Sequence, residues 1–456
     1  MKNKNILVIG LGVSGIACIK GLSRLGANLY VYDESEISTE KSKELENIKA
    51  EYYFGSNEIE KINMDRLDLA IKSPGIKYDV PIIQKLFEKN IKVISDIEAA
   101  YKVTDASIVS ITGTNGKTTT TTLIGEIVKE SGKDYKVTGN IGYGMFYDAI
   151  NSSENDILVA EVSSFQLAGT YEYKPHISIL TNITPDHMDY HHTLQNYVEA
   201  KFKNVINQDE NDYAILNYED ETIRNFSDKI KAKKIFFSSA RVLDEGIFVE
   251  DEKMMFRANN TTEFVINTKD IFIPGKHNLE NAMAATGAAL ALGIKTEIIA
   301  KVLKEFKGVE HRLEFCGEFN GVKFYNDSKG TNPDASIKAV QGIEKPIILI
   351  AGGYDKKSLY DDFIKAFDNK VKALVLLGQT ADDIDRCARK YGFTNIYHVE
   401  NMDEAVVQCF ELSSKGDKVV LSPACASWGM YPNYEVRGRD FKERVNYYGG
   451  NSKEGQ

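Results

Sequence analysis

The chain has 456 residues, 43% hydrophobic and 27% charged, which is typical of a globular protein too long for one ordinary core. Its formal net charge of −10 argues against binding of nucleic acid through bulk positive charge. Five cysteines without a C-x-x-C pair, and no apolar run of about 18 residues, predict a reduced cytoplasmic protein without membrane insertion or a thiolate zinc site.

The N-terminal region has the pattern of a dinucleotide-binding unit. An apolar run at residues 6–9 predicts a buried strand, followed by Gly-x-Gly-x-x-Gly at residues 10–15, a helix to Leu25, and a second strand that ends before Asp33. The glycine loop suits a diphosphate, and the carboxylate suits a ribose or base edge. A nicotinamide or flavin cofactor and a UDP-sugar both satisfy this geometry.

Further alternation of strands and helices continues this unit. Strands are predicted at residues 69–71 and 92–94, with a turn at residues 73–75 and a helix at residues 81–90 between them. This order predicts a small parallel sheet. We place its boundary near residues 95–98, because a new unit starts with the next apolar strand.

That strand runs into a phosphate-binding loop. The β-branched run from Ile108 ends in a glycine-rich turn, and a helix then extends to about Ser131. Backbone N–H groups and the helix N-terminus can bind an anion. Lys117 can neutralise the outer phosphates, and the hydroxyl of Thr118 can ligate Mg²⁺. The match to the P-loop pattern is partial, because Ile111 occupies the first glycine position. The loop residues are Gly113, Thr114, Asn115, Gly116, Lys117, Thr118 and Thr119.

Two later segments of the second region carry metal-binding residue types. Glu161 follows a buried strand at residues 157–160, where a Mg²⁺-binding carboxylate is expected in such sheets. Residues 186–192 contain three of the seven histidines and two aspartates, for which a zinc hydrolase site is the alternative to Mg²⁺. A helix predicted at residues 194–207 carries Lys201 and Lys203. Their spacing alone predicts that both side chains are exposed to solvent.

Shorter strands fill residues 213–273 of the second region, and an Ala-rich helix then begins with Asn278 and Asn281 on one face, where the amides either cap the helix or contact an adenine edge.

The third region repeats the α/β alternation. After a boundary at residues 307–312, polar loops follow strands at residues 322–325, 346–350 and 418–421. Their common sheet edge predicts a ligand site. The end from residue 449 is expected to lack regular structure.

Taken together, these motifs resemble those of the ATP-dependent Mur ligases over nearly the whole chain. The glycine loop at residues 113–119, Gly-Asn-Ile-Gly at residues 139–142, the Glu161 segment, the His187 segment, His-Asn-Leu-Glu-Asn at residues 277–281, His-Arg at residues 311–312 and Asp-Ser-Lys-Gly-Thr-Asn-Pro at residues 327–333 occur in the family's order. Ser-Pro-Ala-Cys-Ala-Ser at residues 422–427 resembles the D-glutamate-adding members.

The resemblance implies three α/β domains and an amide-forming reaction. The expected domains are a Rossmann-like UDP-sugar domain (1–96), a central P-loop-type ATPase domain (97–307) and a C-terminal Rossmann-like domain that binds an amino acid (308–456). The implied substrates are ATP, UDP-N-acetylmuramoyl-L-alanine and D-glutamate, joined through an acyl phosphate, and we expect a monomer. Alternatives are another Mur-type or folylpolyglutamate-type ligase, an NAD-linked dehydrogenase, or a nucleotide-binding scaffold without catalysis.

The resemblance also implies roles for single residues. Lys117 would bind the β- and γ-phosphates, Thr118 and Glu161 one Mg²⁺, and His187 and a carbamylated Lys201 a second Mg²⁺, with Lys117, His187 and Lys201 as the catalytic set. Further nucleotide contacts fall on Asn278, Asn281, Arg312, Asp327 and Lys329. The D-glutamate contacts fall on Thr331, Lys356 (or its neighbour Lys357), Ser427 and Tyr434. The UDP-sugar contacts fall on Gly12, Val13, Ser14, Gly15, Asp33, Ser73, Gly75 and Asn140, with His187 also near the substrate.

Overall fold

The fold is given by a computed structural model that describes residues 1–142, 144–355 and 358–451. The chain packs as two units. One comprises Met1–Ile271 with Leu279–Lys304, and the other comprises Phe272–Asn278 with the chain from Glu305 onward. The predicted α/β class is confirmed, and the boundaries at residues 96 and 307 remain predictions.

The first sheet is parallel, with strand order β3-β2-β1-β4-β5. Its strands are β1 (Asn5–Ile9), β2 (Asn28–Asp33), β3 (Ala50–Phe54), β4 (Leu69–Lys72) and β5 (Val93–Ser95), and its helices are α1 (Val13–Arg24), α2 (Thr39–Leu45), α3 (Pro81–Glu88) and α4 (Asp96–Tyr101). Residues 6–9 are fully buried, because helices cover both faces of a parallel sheet. The order reverses beside β1, so the loop after β1 lies at a crevice where such folds bind ligands.

The second sheet belongs to the same unit, with strand order β14-β13-β12-β11-β10-β9-β6-β8-β7. Its elements are β6 (Ser107–Thr112), α5 (Lys117–Glu130), β7 (Tyr135–Gly139), α6 (Met145–Ile150), β8 (Ile157–Glu161), α7 (Ser164–Ala168), β9 (Ile177–Leu180), α8 (Met188–His191), α9 (Leu194–Phe202), β10 (Tyr213–Asn217), α10 (Glu221–Phe226), β11 (Lys233–Ser238), β12 (Gly246–Glu250), β13 (Lys253–Ala258), β14 (Thr261–Asn267), α11 (Lys276–Ala291) and α12 (Thr296–Glu305). Strands β12 to β14 are antiparallel, and the others are parallel.

The helix predicted at residues 194–207 is shorter than expected, since α9 ends at Phe202. Asn204 is fully buried and its side chain bonds both the hydroxyl and the carbonyl of Ser110 on β6. These tertiary hydrogen bonds take the place of another helical turn. Local helix propensity alone could not predict this end of the helix.

The sheet of the other unit has strand order β15-β16-β20-β17-β18-β19. Its elements are β15 (Glu314–Phe319), β16 (Val322–Asn326), α13 (Pro333–Gly342), β17 (Ile347–Ala351), α14 (Asp361–Lys365), β18 (Val371–Leu376), α15 (Ala381–Lys390), β19 (Ile396–His398), α16 (Met402–Leu412), β20 (Lys418–Leu421) and α17 (Tyr434–Asn451). Strand β15 is antiparallel to β16, and the remaining pairs are parallel.

Helix α17 corrects the expectation that regular structure ends at residue 449. The helix continues to Asn451, and Gly449 lies so close to Phe319 that an added Cβ would stand 2.4 Å from its ring. Packing against the aromatic ring therefore outweighs the low helix propensity of glycine.

A buried carboxylate connects α4 to the loop before β9. Glu98 is fully buried and accepts hydrogen bonds from the backbone N–H groups of Tyr171 (3.1 Å), Glu172 (3.1 Å) and Tyr173 (2.9 Å). Burying a carboxylate is costly unless it is hydrogen-bonded, and here the backbone supplies the donors.

We expect Glu98→Ala to lower the free energy of unfolding by about 3 kcal/mol, because it leaves three backbone donors without their acceptor. Urea denaturation measures this change. The matched control is Glu172→Ala, whose side chain is 60% exposed and which should leave the urea midpoint nearly unchanged. Equal midpoints for the two variants would contradict the stabilising role of Glu98.

Candidate functional site

The loop between β6 and α5 has the geometry predicted for a phosphate cradle. Gly116 is the N-cap of α5 with φ of 84°, a left-handed conformation that favours glycine. A Cβ at this position would stand 2.2 Å from Oδ1 of Asn281. The backbone can therefore expose the first N–H groups of a 14-residue helix, which form an anion site.

Two lysines converge on one carbonyl of this loop. Lys117 Nζ donates to the oxygens of Gly113 (2.9 Å) and Thr114 (3.0 Å), and Lys201 Nζ donates to Gly113 O (2.7 Å). Lys201 is buried, so the solvated position that spacing alone suggested is wrong. Burial first, and the charge of Lys117 second, lower the pKa of Lys201 well below its usual value.

Glu161 lies at the end of β8, beside the strand that leads into the phosphate loop, where it pairs with Ile111. Its Oε1 accepts a hydrogen bond from Asn140 Nδ2 at 2.9 Å. Its Oε2 is buried and has no hydrogen-bond partner within the described chain. Such an oxygen is a suitable ligand for a hard cation like Mg²⁺, and Thr118, nearly buried in the first turn of α5, offers a hydroxyl from the adjacent strand–helix turn.

His187 stands at the start of α8 in a left-handed conformation, with φ of 54° and a half-exposed ring. The ring of Phe165 lies 4.7 Å from it. His191 is buried, and its Nε2 lies 2.9 Å from Ser164 Oγ. Burial chiefly, with repulsion from His187 and Lys201, lowers the pKa of His191 to about 4, so this imidazole is neutral.

The zinc alternative finds no support in this segment. Among the described residues, the group of three side chains that could hold a metal ion is Glu310, His311 and Glu314, and it includes none of residues 186–192. Lys442 Nζ already pairs with Glu310 Oε1 (2.7 Å) and Glu314 Oε1 (2.8 Å). A lysine ammonium therefore neutralises these two carboxylates.

A cavity of about 710 Å³ opens at the carboxyl edge of the first sheet. The predicted UDP-sugar residues Gly12, Val13, Ser14, Asp33, Ser73, Gly75 and Asn140 line it. Asn140 also bonds Glu161, so this cavity adjoins the carboxylate beside the phosphate loop. Of the predicted set, Gly15 and His187 lie outside the lining. A Cβ at Gly15 would stand 1.8 Å from Gly10 O. Gly15 is thus needed for close packing of α1 on the loop.

Asp33 has a different local role from the one its motif suggests. Its Oδ2 accepts the Leu11 N–H (2.7 Å), and its Oδ1 accepts the Ser35 N–H (2.9 Å). The carboxylate therefore holds the glycine loop in shape and lines the cavity at the same time.

The two predicted asparagines are both buried. Asn281 lies against Gly116, and its Oδ1 is 3.4 Å from Thr120 Oγ1, so it supports the phosphate loop directly. Asn278 Nδ2 donates to Pro274 O at 2.7 Å, which ties this side chain to the segment directly before α11.

The other unit brings three strand-end loops together, as the sequence predicts. Strand β20 lies between β16 and β17, and Ser422 Oγ donates to Asp327 Oδ2 at 2.7 Å. Burial raises the pKa of Asp327 to about 7. Gly352 N–H donates to Pro423 O at 2.8 Å, which joins the third loop to the other two.

Two further predicted residues of this unit, Lys329 and Tyr434, lie beside the loop that contains Ser328. Lys329 Nζ lies 5.5 Å from the ring centre of Tyr434, and Tyr434 O accepts the hydroxyl hydrogen of Ser328 at 2.8 Å. Ser427 is buried and Arg312 is exposed, while Thr331 is half-buried. Lys356 and Lys357 lie outside the described residues.

Arg437 is a residue that sequence reasoning missed. Its buried guanidinium donates to Ser328 Oγ (3.0 Å), Ser328 O (2.8 Å) and Cys425 O (3.1 Å), and thereby fastens two of the loops to α17. No local pattern marks it, because an arginine in a polar helix is usually solvated.

These sites occur on a fold that matches known proteins along the whole chain. Three family models match: Mur ligase MurD-like, N-terminal domain (residues 4–95), Mur ligase middle domain (residues 111–289) and Mur ligase, glutamate ligase domain (residues 311–425). Solved structures show the same fold at low identity. MurC from Thermotoga maritima is 20% identical with a TM-score of 0.59, covering 98% of this chain and 99% of that one. MurF from Thermotoga maritima in complex with ADP is 16% identical with a TM-score of 0.58, covering 98% and 96%.

The chain belongs to the Mur ligase family. Its similar relatives include proteins named UDP-N-acetylmuramoylalanine–D-glutamate ligase. The protein of that name from Alkaliphilus oremlandii is 48% identical over 98% of both chains. The one from Thermoanaerobacter sp. is 47% identical over 98% of both chains. The one from Clostridioides difficile is 44% identical, over 98% of this chain and 99% of that one.

We expect Gly116→Ala to weaken ATP binding by at least about tenfold, equivalent to 1.4 kcal/mol. The added methyl group collides with Asn281 and turns the first N–H groups of α5 away from the anion. Isothermal titration with Mg·ATP measures the change. Gly132→Ala is the matched control, since Gly132 follows the other end of α5 with φ of 75° and open space around it. Equal ATP affinity in both variants would contradict the cradle.

Proposed function

We propose that this protein is an ATP-dependent, ADP-forming ligase that joins D-glutamate to UDP-N-acetylmuramoyl-L-alanine in peptidoglycan precursor synthesis. The observation that carries the proposal is the 44–48% identity to ligases of that name over nearly the full length of both chains. The phosphate loop and the adjoining cavity support it, because a dehydrogenase would need neither the loop nor Glu161. No helix among the described residues is long and apolar enough to span a bilayer. We further propose that the enzyme acts in the cytoplasm as a monomer.

The proposed reaction begins at a carboxylate, which is a poor electrophile. The L-alanyl carboxylate attacks the γ-phosphorus of ATP, its oxygen forms a bond to phosphorus, and ADP leaves. The amine of D-glutamate then attacks the acyl carbon, loses a proton, and expels inorganic phosphate to leave an amide. Bringing these anions together requires positioning and charge neutralisation more than covalent help from the protein.

Residues of the first unit fit the phosphoryl-transfer part. Lys117 Nζ would replace its hydrogen bonds to the loop carbonyls by contacts with the β- and γ-phosphates, as in other phosphate loops. Thr118 and the unpartnered Glu161 Oε2 would hold one Mg²⁺, which neutralises phosphate charge when bound. The cavity walls with Gly12, Ser73 and Asn140 would hold the UDP-sugar.

Lys201 could bind a second metal ion only after its side chain is converted to an anion, because an ammonium group repels cations. Its lowered pKa favours the neutral amine, which can attack CO₂ to form an N–C bond and release a proton. The resulting carbamate would join His187 as a ligand for a second Mg²⁺. Because Nζ already lies 2.7 Å from Gly113 O, the new anion would sit beside the phosphate loop.

In the second unit, we assign Arg312, Asp327 and Lys329 to the nucleotide, and Thr331, Lys356, Ser427 and Tyr434 to the carboxylates of D-glutamate. Asp327 and Ser427 are buried at the shared loop edge, and Lys329 adds a positive charge there. An acidic amino acid suits such a site, as carboxylates prefer lysine and hydroxyl donors.

The decisive test is phosphate release by the purified protein with Mg²⁺, ATP and UDP-N-acetylmuramoyl-L-alanine. We expect release only when D-glutamate is added, with an equal amount of amide product by mass spectrometry. L-glutamate, D-aspartate and meso-diaminopimelate serve as competing amino acids. Phosphate release without D-glutamate dependence, or ATP binding without product, would overturn the assignment.

We expect Lys201→Ala to lower kcat by at least about 100-fold, the usual effect of removing a metal-supporting or charge-stabilising group. Acetate or formate should restore part of the activity by replacing the carbamate. The matched control is Lys203→Ala, at the residue directly after the end of the same helix. Within the described structure, Lys203 Nζ donates to the carbonyls of Ala168 (2.7 Å) and Thr170 (3.1 Å), and this variant should keep kcat within about threefold. An active Lys201→Ala enzyme would refute the second-metal role.

A further inference from the structure

Lys72 is a fully buried lysine at the end of β4, directly before the turn that lines the cavity. Its Nζ donates to Ile76 O at 2.8 Å and reaches Ser73 O and Pro74 O at 3.4 Å. The same nitrogen lies 3.1 Å from the hydroxyl oxygen of Tyr190. Among the described residues, no carboxylate lies within 4.0 Å of it, so backbone carbonyls and a phenol provide its solvation.

This arrangement is energetically costly, which argues that its geometry matters. Burial lowers the pKa of Lys72 to about 8, against an opposing attraction from Asp96. A buried ammonium group adds little net stability even when its hydrogen bonds are satisfied. It does, however, fix the direction of each carbonyl that accepts from it.

On one side, Lys72 shapes the cavity wall. Ser73, Pro74 and Ile76, whose carbonyls face Nζ, all line the cavity. Ser73 Oγ in turn donates to Gly10 O at 2.8 Å, which joins this turn to the glycine loop opposite.

On the other side, Lys72 reaches the helix that begins after His187. Tyr190 belongs to α8, and its ring centre lies 4.4 Å from that of Phe165. Phe165 lies 4.7 Å from the ring of His187. Tyr190 and Phe165 are not part of the cavity lining. The turn, Lys72, Tyr190, Phe165 and His187 therefore form one continuous set of contacts.

We propose that Lys72 is a positioning residue that couples the UDP-sugar cavity to His187 through Tyr190. This inference rests on the proposed ligase function and deepens it. Lys72 touches no reacting atom. Its three N–H groups hold the cavity wall in one shape and hold α8 against that wall. A change in the cavity wall should therefore alter the position of α8, and a change in α8 should alter the wall.

Lys72→Met keeps an unbranched side chain that is one heavy atom shorter, and it removes the charge and the hydrogen-bond donors. We expect its KM for UDP-N-acetylmuramoyl-L-alanine to rise about tenfold, while the KM values for ATP and D-glutamate stay within twofold. Tyr190→Phe removes only the hydroxyl, outside the cavity, and should still raise the KM for the UDP-sugar about threefold. In the double variant the two effects should not multiply, because both remove the same hydrogen bond.

Lys92→Met is the matched control. Lys92 is a partly exposed lysine of the same sheet region, 3.3 Å from Glu172, and its loss should leave every KM unchanged. Thermal unfolding shows whether a variant has lost folded protein. Such a loss would lower kcat without a selective change in one KM. If the wild-type protein releases no phosphate with all substrates, the proposed function fails. If it does, and Lys72→Met and Tyr190→Phe keep the wild-type KM for the UDP-sugar, the positioning role of Lys72 is wrong.

Discussion

The arrangement on which the first unit depends is the meeting of two lysines at the carbonyl oxygen of Gly113. Both side-chain nitrogens donate to one carbonyl oxygen, so Lys117 and a protonated Lys201 repel each other. Lys201 is buried, and this burial lowers its pKa well below the usual value. A triphosphate bound at Lys117 would relieve this repulsion, and the proposed conversion of Lys201 to a carbamate would relieve it from the other side.

A few polar side chains connect the edges of the two neighbouring sheets of the first unit. Asn140 lines the cavity and bonds Glu161, while Lys72 bonds the cavity turn and Tyr190. Asn140 therefore links the cavity wall to a residue assigned to metal binding, and Lys72 links the same wall to Tyr190, which reaches His187 through Phe165. These contacts explain how the two sheets, which share one buried hydrophobic cluster, can serve the proposed reaction, since the acyl group and the phosphate must approach within bonding distance.

Much of this architecture could be predicted from the sequence. The strand–glycine–helix patterns at residues 6–25 and 108–131 correspond to β1–α1 and β6–α5, because local periodicity and glycine placement determine such turns. The shared edge of Asp327, Gly352 and Ser422 was also predictable, since parallel strands place their ends together.

Other features depend on contacts distant in sequence. The burial of Lys201 follows from packing of α9 against the phosphate loop, and only the family resemblance indicated a special role for it. Lys72 and Arg437 gave no signal, because a lone basic residue is ordinarily exposed. The end of α9 at Phe202 depends on Asn204 reaching Ser110, 94 residues earlier. No local sequence pattern predicts hydrogen bonds between residues so far apart in the chain.

The position of Arg437 has a consequence for how the protein is made. The loops with Ser328 and Cys425 are held by a helix that the ribosome synthesises after both of them. Until that helix has left the exit tunnel and folded back, these loops lack the guanidinium that joins them. A nascent chain can therefore form its phosphate loop before the loops with Ser328 and Cys425 are fastened, and these are the loops next to which we propose that D-glutamate binds.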